Sequence, residues 1–319
     1  MNDSATSRSV DPSAAATPAA SARDDVVMLT KARLSGLVVM TTLAGYWLGV
    51  ERGGLSDGWR LVHTVFGTAL CAFGSAVFNQ LIEIEHDARM ARTAGRPLPG
   101  RRIPAAAAFL LGLVLSGWGV VHLVAKVNVE AAALAAATLV TYLFIYTPLK
   151  QRSSTNTLVG AVSGALPPVI GWAAAAGPDP AAVAFRWQWL LRSEAWWLFA
   201  LLFFWQLPHF LAINGMYRDE YRRAGFVMWS NDDDSGALTS ALALGFTVAL
   251  LPIALWPVVS GFAVWPVGAG LVLLTGWLLR LAWVFRRDRA RPSARRLFFA
   301  TLAYLPLALI LVLAGSRPV

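Results

Sequence analysis

Nine apolar stretches, near residues 34–50, 60–82, 103–124, 129–146, 157–176, 194–216, 238–258, 262–284 and 297–315, constrain this chain more than any other feature. Each is about 17 to 25 residues long, enough to cross the hydrocarbon core of a bilayer as a helix. In lipid every backbone N–H and C=O must pair within its own segment or in a closed barrel, and ten-residue alternating strands are absent, so the expected class is an all-α, polytopic membrane bundle. Of the 27 Lys and Arg residues, 21 fall in the N-terminal segment and the loops on its side, and the other six are Arg52, Arg60, Lys126, Arg186, Arg192 and Arg317. That asymmetry predicts nine spans with the N-terminus cytoplasmic and the C-terminus outside. The net charge of +9 therefore reads as topology rather than as a nucleic-acid footprint. Cys71 is the single cysteine, which removes intrachain disulfides and multi-cysteine metal sites. Residues 1 to about 25 are rich in Ala, Ser and Pro with scattered acids and are expected to be a disordered tail, leaving 26–319 as one intramembrane domain.

Three loops on the expected cytoplasmic side carry unusual polar residues. Asn79, Glu83 and Asp87 recur every four positions, and at about 100° per residue such steps drift only about 40°, so the three form a stripe on one helix face. Acids are costly in a segment that inserts into lipid, and oxygen-only ligands at this spacing suit Mg²⁺, which keeps several waters and bridges a few carboxylates to phosphate oxygens. A phosphate ester or diphosphate is the natural guest, and Arg92 and Arg96 add bidentate phosphate contacts. The plain alternative is a solvated loop with positive-inside arginines. The second loop holds Tyr146-Thr147-Pro148-Leu149-Lys150, with Pro148 setting continuous helix in doubt. Two readings stand for Lys150: a diphosphate contact or a positive-inside anchor. The third runs from Trp205-Gln206-Leu207-Pro208-His209-Phe210 to Asn214, Asp219, Glu220 and Tyr221. On a regular helix His209 and Glu220, eleven residues apart, share a face. His209 is either a satisfied core histidine or a cavity residue beside a proline kink, and His86 is a minor candidate. One arrangement accommodates all three loops: carboxylates from two helices facing a cavity, basic loops closing over a Mg²⁺-bound diphosphate, and apolar walls behind.

These residues resemble the UbiA superfamily of intramembrane prenyltransferases from about Lys31 to the C-terminus. The motifs are Asn79-x3-Glu83-x3-Asp87-x2-Met90-x-Arg92-Thr93-x2-Arg96-Pro97, Tyr146-Thr147-Pro148-Leu149-Lys150, Asn156-Thr157-x2-Gly160-x3-Gly164 and Trp205-Gln206-x-Pro208-His209. The Met-x-Arg-Thr-x-x-Arg-Pro and Trp-Gln-x-Pro-His runs are particular to the branch that farnesylates protohaem. The resemblance implies a nine-helix bundle of a bacterial inner membrane that moves a farnesyl group from farnesyl diphosphate to haem B, with Mg²⁺ as the ion. The haem O product then serves terminal oxidases, which makes haem A synthase and oxidase assembly factors the implied partners. By matching position, Asn79, Glu83, Asp87 and Glu220 would hold the metal, Arg92, Arg96 and Lys150 the diphosphate, and Asn79, Glu83, Asp87, Lys150 and Glu220 the catalytic set, with His209 near haem. The stretch Trp229-Ser230-Asn231-Asp232-Asp233-Asp234 departs from an apolar stretch common in relatives, and its aspartates either assist the metal or form a solvated loop. Prenylation of an aromatic quinone precursor is the runner-up. An ion-coupled transporter is the alternative of another class, disfavoured because the acids cluster at one end and no inverted repeat of broken helices is evident.

Overall fold

The computed structural model describes residues 21–176 and 185–317. Among these residues nine helices are long and apolar enough to cross a membrane: α1 (Ala32–Glu51), α2 (Gly58–Ile82), α3 (Ala105–Lys126), α4 (Val129–Leu149), α5 (Asn156–Ala175), α6 (Ser193–Ala224), α7 (Ala237–Val259), α8 (Trp265–Asp288) and α9 (Arg291–Ala314). They coincide with the nine expected runs, with three extensions at the ends that carry the basic loops. α6 continues past residue 216 to Ala224, and α8 and α9 are joined by only Arg289 and Ala290. Hydropathy stops where charge begins, but these helices do not.

Local chemistry starts and stops the helices. The Asp57 carboxylate accepts from the N–H groups of Trp59 and Arg60 at the start of α2, and the Asn128 side chain accepts from Ala131 N–H at the start of α4. α6 ends at Gly225, whose φ of 80° is the left-handed conformation that glycine adopts without steric cost. Pro148 does not end α4. The helix passes through a π turn, Thr141–Tyr146, where Tyr142 O accepts from Thr147 N–H and also from Thr147 Oγ1 at 2.8 Å.

α5 is the most enclosed span and the axis of the bundle, packing against α1, α4 and α6. Two glycines allow its close approach to α1: a Cβ on Gly45 would lie 1.8 Å from Pro168 O, and one on Gly171 would lie 1.9 Å from Thr42 O. Small residues at helix crossings let backbones meet where lipid offers no hydrophobic drive for association. On the far side α6 to α9 form a second wall, with Trp197, Trp205, Phe262, Phe285 and Tyr304 in one continuous core.

Residues 21–25, at the end of the expected tail, belong to the fold. Residues 1–20 lie outside the described residues, but Ala22–Leu29 is a helix capped by Ser21, whose Oγ accepts from Asp24 N–H. Arg102 clamps both oxygens of Asp25 at 2.7 to 3.0 Å, Gln80 Nε2 donates to the carbonyls of Met28 and Leu29 at 2.8 Å each, and Leu29 is buried against Val77 and Leu98. The guanidinium of Arg102 holds the Asp25 carboxyl below its usual pKa. An Ala- and Ser-rich sequence with acids reads as tail because its partners, Gln80 and Arg102, are far away in the chain.

Candidate active site

A cavity of about 440 Å³ opens among α1, α2, α4, α5 and α6. Its apolar depth is lined by residues such as Leu37, Cys71, Leu139 and Ile170, and its polar end by Lys31, Asn79, Glu83, Asp87, Arg92, Arg96 and Lys150. The three loops expected on one side thus meet at one mouth.

The acidic stripe is present, though not on a regular helix. α2 stops at Ile82 because Glu83 leaves the helical region (φ −100°, ψ 12°), and the five-residue helix Ile84–Ala88 follows. Glu83 N–H still donates to Asn79 O at 3.1 Å and Asp87 N–H to Glu83 O at 2.8 Å, so the four-residue stagger survives the break. Asn79, Glu83 and Asp87 are 1%, 3% and 2% exposed, a burial that unpaired acids would not tolerate. Each has a cationic partner. Lys31 Nζ donates to Asn79 Oδ1 at 2.5 Å, Lys150 Nζ to Glu83 Oε1 at 2.7 Å, and Arg96 to Asp87 Oδ2.

The lysines differ electrostatically. Burial works against the charge on Lys150, but Glu83 outweighs it, and the amine is held above its usual pKa. Burial lowers Lys31 to about 7, with Arg96 adding to the effect and Glu83 opposing it. Lys31 went unrecognised as a site residue because a lysine just before a first span looks like any positive-inside anchor. Its backbone is the distinguishing feature: φ 47° and ψ 44°, left-handed for a side chain with a Cβ, held by the docked helix before it.

Hydrogen bonds stitch the loops together. Val227 N–H donates to Lys150 O at 2.6 Å, and Asn156 Nδ2 donates to Val227 O and Ser153 O, both at 2.7 Å. Met90, Tyr221, Ala224, Phe226 and Met228 pack between the first and third loops. The π turn places both Tyr142 and Tyr146 on the cavity, and Lys150 Nζ lies 4.6 Å from the Tyr146 ring centre. Arg92 stands 5.7 Å from the centre of the Tyr217 ring.

One expectation needs correction, and two open readings are decided. Glu220 does not share the cavity face with His209, because Tyr217 (φ −121°, ψ 23°) breaks α6 between them; Asn214 and Tyr221 line the cavity instead, and Glu220 lies outside it with Oε2 buried and unpartnered. His86 stacks on Phe226 at 5.1 Å and is not a lining residue. The aspartate run is structural: Asp233 Oδ2 accepts from Thr239 N–H at 2.7 Å at the start of α7, and exposed Asp234 pairs with Arg222. His209 does line the cavity, with Nδ1 2.8 Å from Thr301 Oγ1.

Among the described residues no three His, Cys, Asp or Glu side chains form a ready-made metal cage. The donor set nonetheless suits Mg²⁺, which is usually held by one or two carboxylates plus substrate phosphates rather than by an all-protein cage. A row of acids clasped by cations, at the mouth of an apolar cavity, can exchange those cations from carboxylate to phosphate oxygens when a metal-bound diphosphate enters.

A membrane-embedded helical bundle with such a mouth is an intramembrane prenyltransferase, and the chain belongs to the UbiA prenyltransferase family, whose model matches residues 38–303. Within it, the protoheme IX farnesyltransferase of Solibacter usitatus is 40% identical over 304 residues, covering 92% of this chain and 99% of that protein. The protoheme IX farnesyltransferase of Salinibacter ruber is 39% identical over 290 residues, covering 90% and 98%. Among solved structures, a UbiA homologue from Aeropyrum pernix K1 superposes with a TM-score of 0.68 at 18% identity, covering 88% of this chain and 96% of that one. A UbiA homologue from Archaeoglobus fulgidus bound to GPP and Mg²⁺ gives 0.60 at 9% identity, covering 90% and 99%.

Proposed function

We propose that this protein transfers the farnesyl group of farnesyl diphosphate to a vinyl group of protohaem IX, giving haem O. The observation that carries the acceptor is full-length similarity to protoheme IX farnesyltransferases, extending through the cavity-lining motifs. It favours haem over an aromatic quinone precursor and over ion transport.

Asn79, Glu83 and Asp87 would hold Mg²⁺ with the diphosphate. Bound there, the ion neutralises charge developing on the diphosphate leaving group. Lys31, Lys150, Arg92 and Arg96 turn toward the phosphates and stabilise the same charge where it develops, while the C–O bond breaks to an allylic cation. The apolar walls keep water from that cation. The vinyl π bond of haem attacks it, water captures the resulting cation beside the macrocycle, and a proton is released to give a hydroxyethylfarnesyl group. No protein nucleophile is needed. By the charge asymmetry the mouth faces the cytoplasm and the C-terminus lies outside, in the inner membrane of a bacterium.

The test is purified protein with haem B, farnesyl diphosphate and Mg²⁺, read by product mass. Haem O formation is expected; prenylation of a hydroxybenzoate but not of haem would replace the acceptor.

A further inference from the structure

We propose that Thr301 is a positioning residue that fixes His209 in the tautomer whose Nε2 lone pair faces the cavity, as an axial ligand for the iron of the haem acceptor. The proposal rests on the acceptor assigned above. Thr301 Oγ1 lies 2.6 Å from Phe298 O, to which its single hydroxyl proton is donated, because a carbonyl can only accept. The same oxygen lies 2.8 Å from His209 Nδ1 and must accept there, so the imidazole proton sits on Nδ1. Nε2 is then unprotonated. It has no hydrogen-bond partner among the described residues and is not enclosed, and His209 borders the cavity.

Two aromatic rings hold the imidazole in place. Trp205 stacks on it with centres 5.6 Å apart and planes 21° apart, and Phe298 at 4.7 Å and 27°. Trp205 also donates from Nε1 to Thr301 O at 2.6 Å, so the main chain and the side chain of one residue on α9 together fix two residues one turn apart on α6. A histidine needed only for packing would have both ring nitrogens paired or sealed off, whereas here one is left open. A ligating histidine needs that open nitrogen, and its orienting partner typically tunes metal affinity or activity 10- to 100-fold.

The experiment titrates wild type, Thr301→Val, Thr301→Ala, Thr301→Ser and His209→Ala with haem B, reading affinity and iron ligation by absorption and electron paramagnetic resonance. Thr301→Val should weaken haem binding by about 10- to 100-fold and alter the ligation signature. Farnesyl diphosphate binding with Mg²⁺ should be unchanged in that variant, and Thr301→Ser should restore the wild-type spectrum. His209→Ala should lose nitrogen ligation and regain it with added imidazole, which tests the ligand, and the conservative Thr301→Ser together with Thr301→Ala tests the positioning if Thr301→Val folds poorly. Wild-type spectra and affinity in Thr301→Val, or in His209→Ala, would overturn the proposal while leaving haem as the acceptor. Wild-type protein that binds no haem would overturn the acceptor as well.

Discussion

Glu83 and Lys150 are the best place to separate what holds the site together from what it does. Their charges are 2.7 Å apart, with side chains 4% and 13% exposed, and at an effective dielectric of about 20 their attraction is about 6 kcal/mol. Desolvation of both groups offsets much of that, yet removing one partner leaves the other charged and buried, which typically costs about 3 to 5 kcal/mol. Glu83→Gln and Lys150→Met should therefore each destabilise the ligand-free protein by about 3 kcal/mol, while the double variant, with no stranded charge, should lose clearly less than the sum. Activity should follow the opposite rule. Glu83→Gln removes a metal ligand and Lys150→Met a phosphate contact, so all three variants should fall by two orders of magnitude or more in turnover, about 2.7 kcal/mol in barrier. Reversible unfolding in mixed micelles gives the stabilities, and the product-mass assay gives the rates. Strictly additive stabilities would refute the stranded-charge argument, and near-normal turnover in Glu83→Gln would refute the metal assignment.

Other perturbations test separate parts of the molecule. Arg102→Ala should release the helix Ala22–Leu29, raise KM for the prenyl diphosphate several-fold through Lys31, and expose that segment to limited proteolysis; an unchanged KM would disconnect Lys31 from the substrate. Lys31 titrates near 7 when folded against 10.5 as the reference, so between those values the unfolded chain holds the extra proton and stability rises with pH. Comparing unfolding free energies at pH 7 and 9.5, that rise should shrink in Lys31→Met, and an equal slope in both proteins would contradict it. Gly171→Ala places a Cβ 1.9 Å from Thr42 O, backbone against backbone, and should cost at least the 1 to 3 kcal/mol of ordinary overpacking, seen as a lower unfolding midpoint. Chelation of Mg²⁺ should abolish turnover and leave the unfolding midpoint of the ligand-free protein unchanged.

The nine spans were legible in the sequence because hydropathy over a helix length is a local quantity, and so was the Asn79, Glu83, Asp87 stagger. What eluded reading depended on partners remote in the chain. The helix Ala22–Leu29 needs Gln80 and Arg102, and Lys31 reaches its role only because that helix is docked. Glu220 was misplaced for a different reason: counting turns from His209 assumes regular helix, and the break at Tyr217 is made by backbone angles that no residue type there announces. Pro148 misled in the other direction, since the chain absorbs it in a π turn instead of ending the helix.

That π turn has a consequence for how this wall can vary. A π turn is an α-helix that takes up one surplus residue locally, so if Thr141–Tyr146 rewound to α geometry at unchanged length, everything beyond it would swing by about 100°. Tyr146 and Lys150 would leave the cavity together, with every side chain chemically intact. The winding of this turn is as much a part of the site as the lysine it delivers.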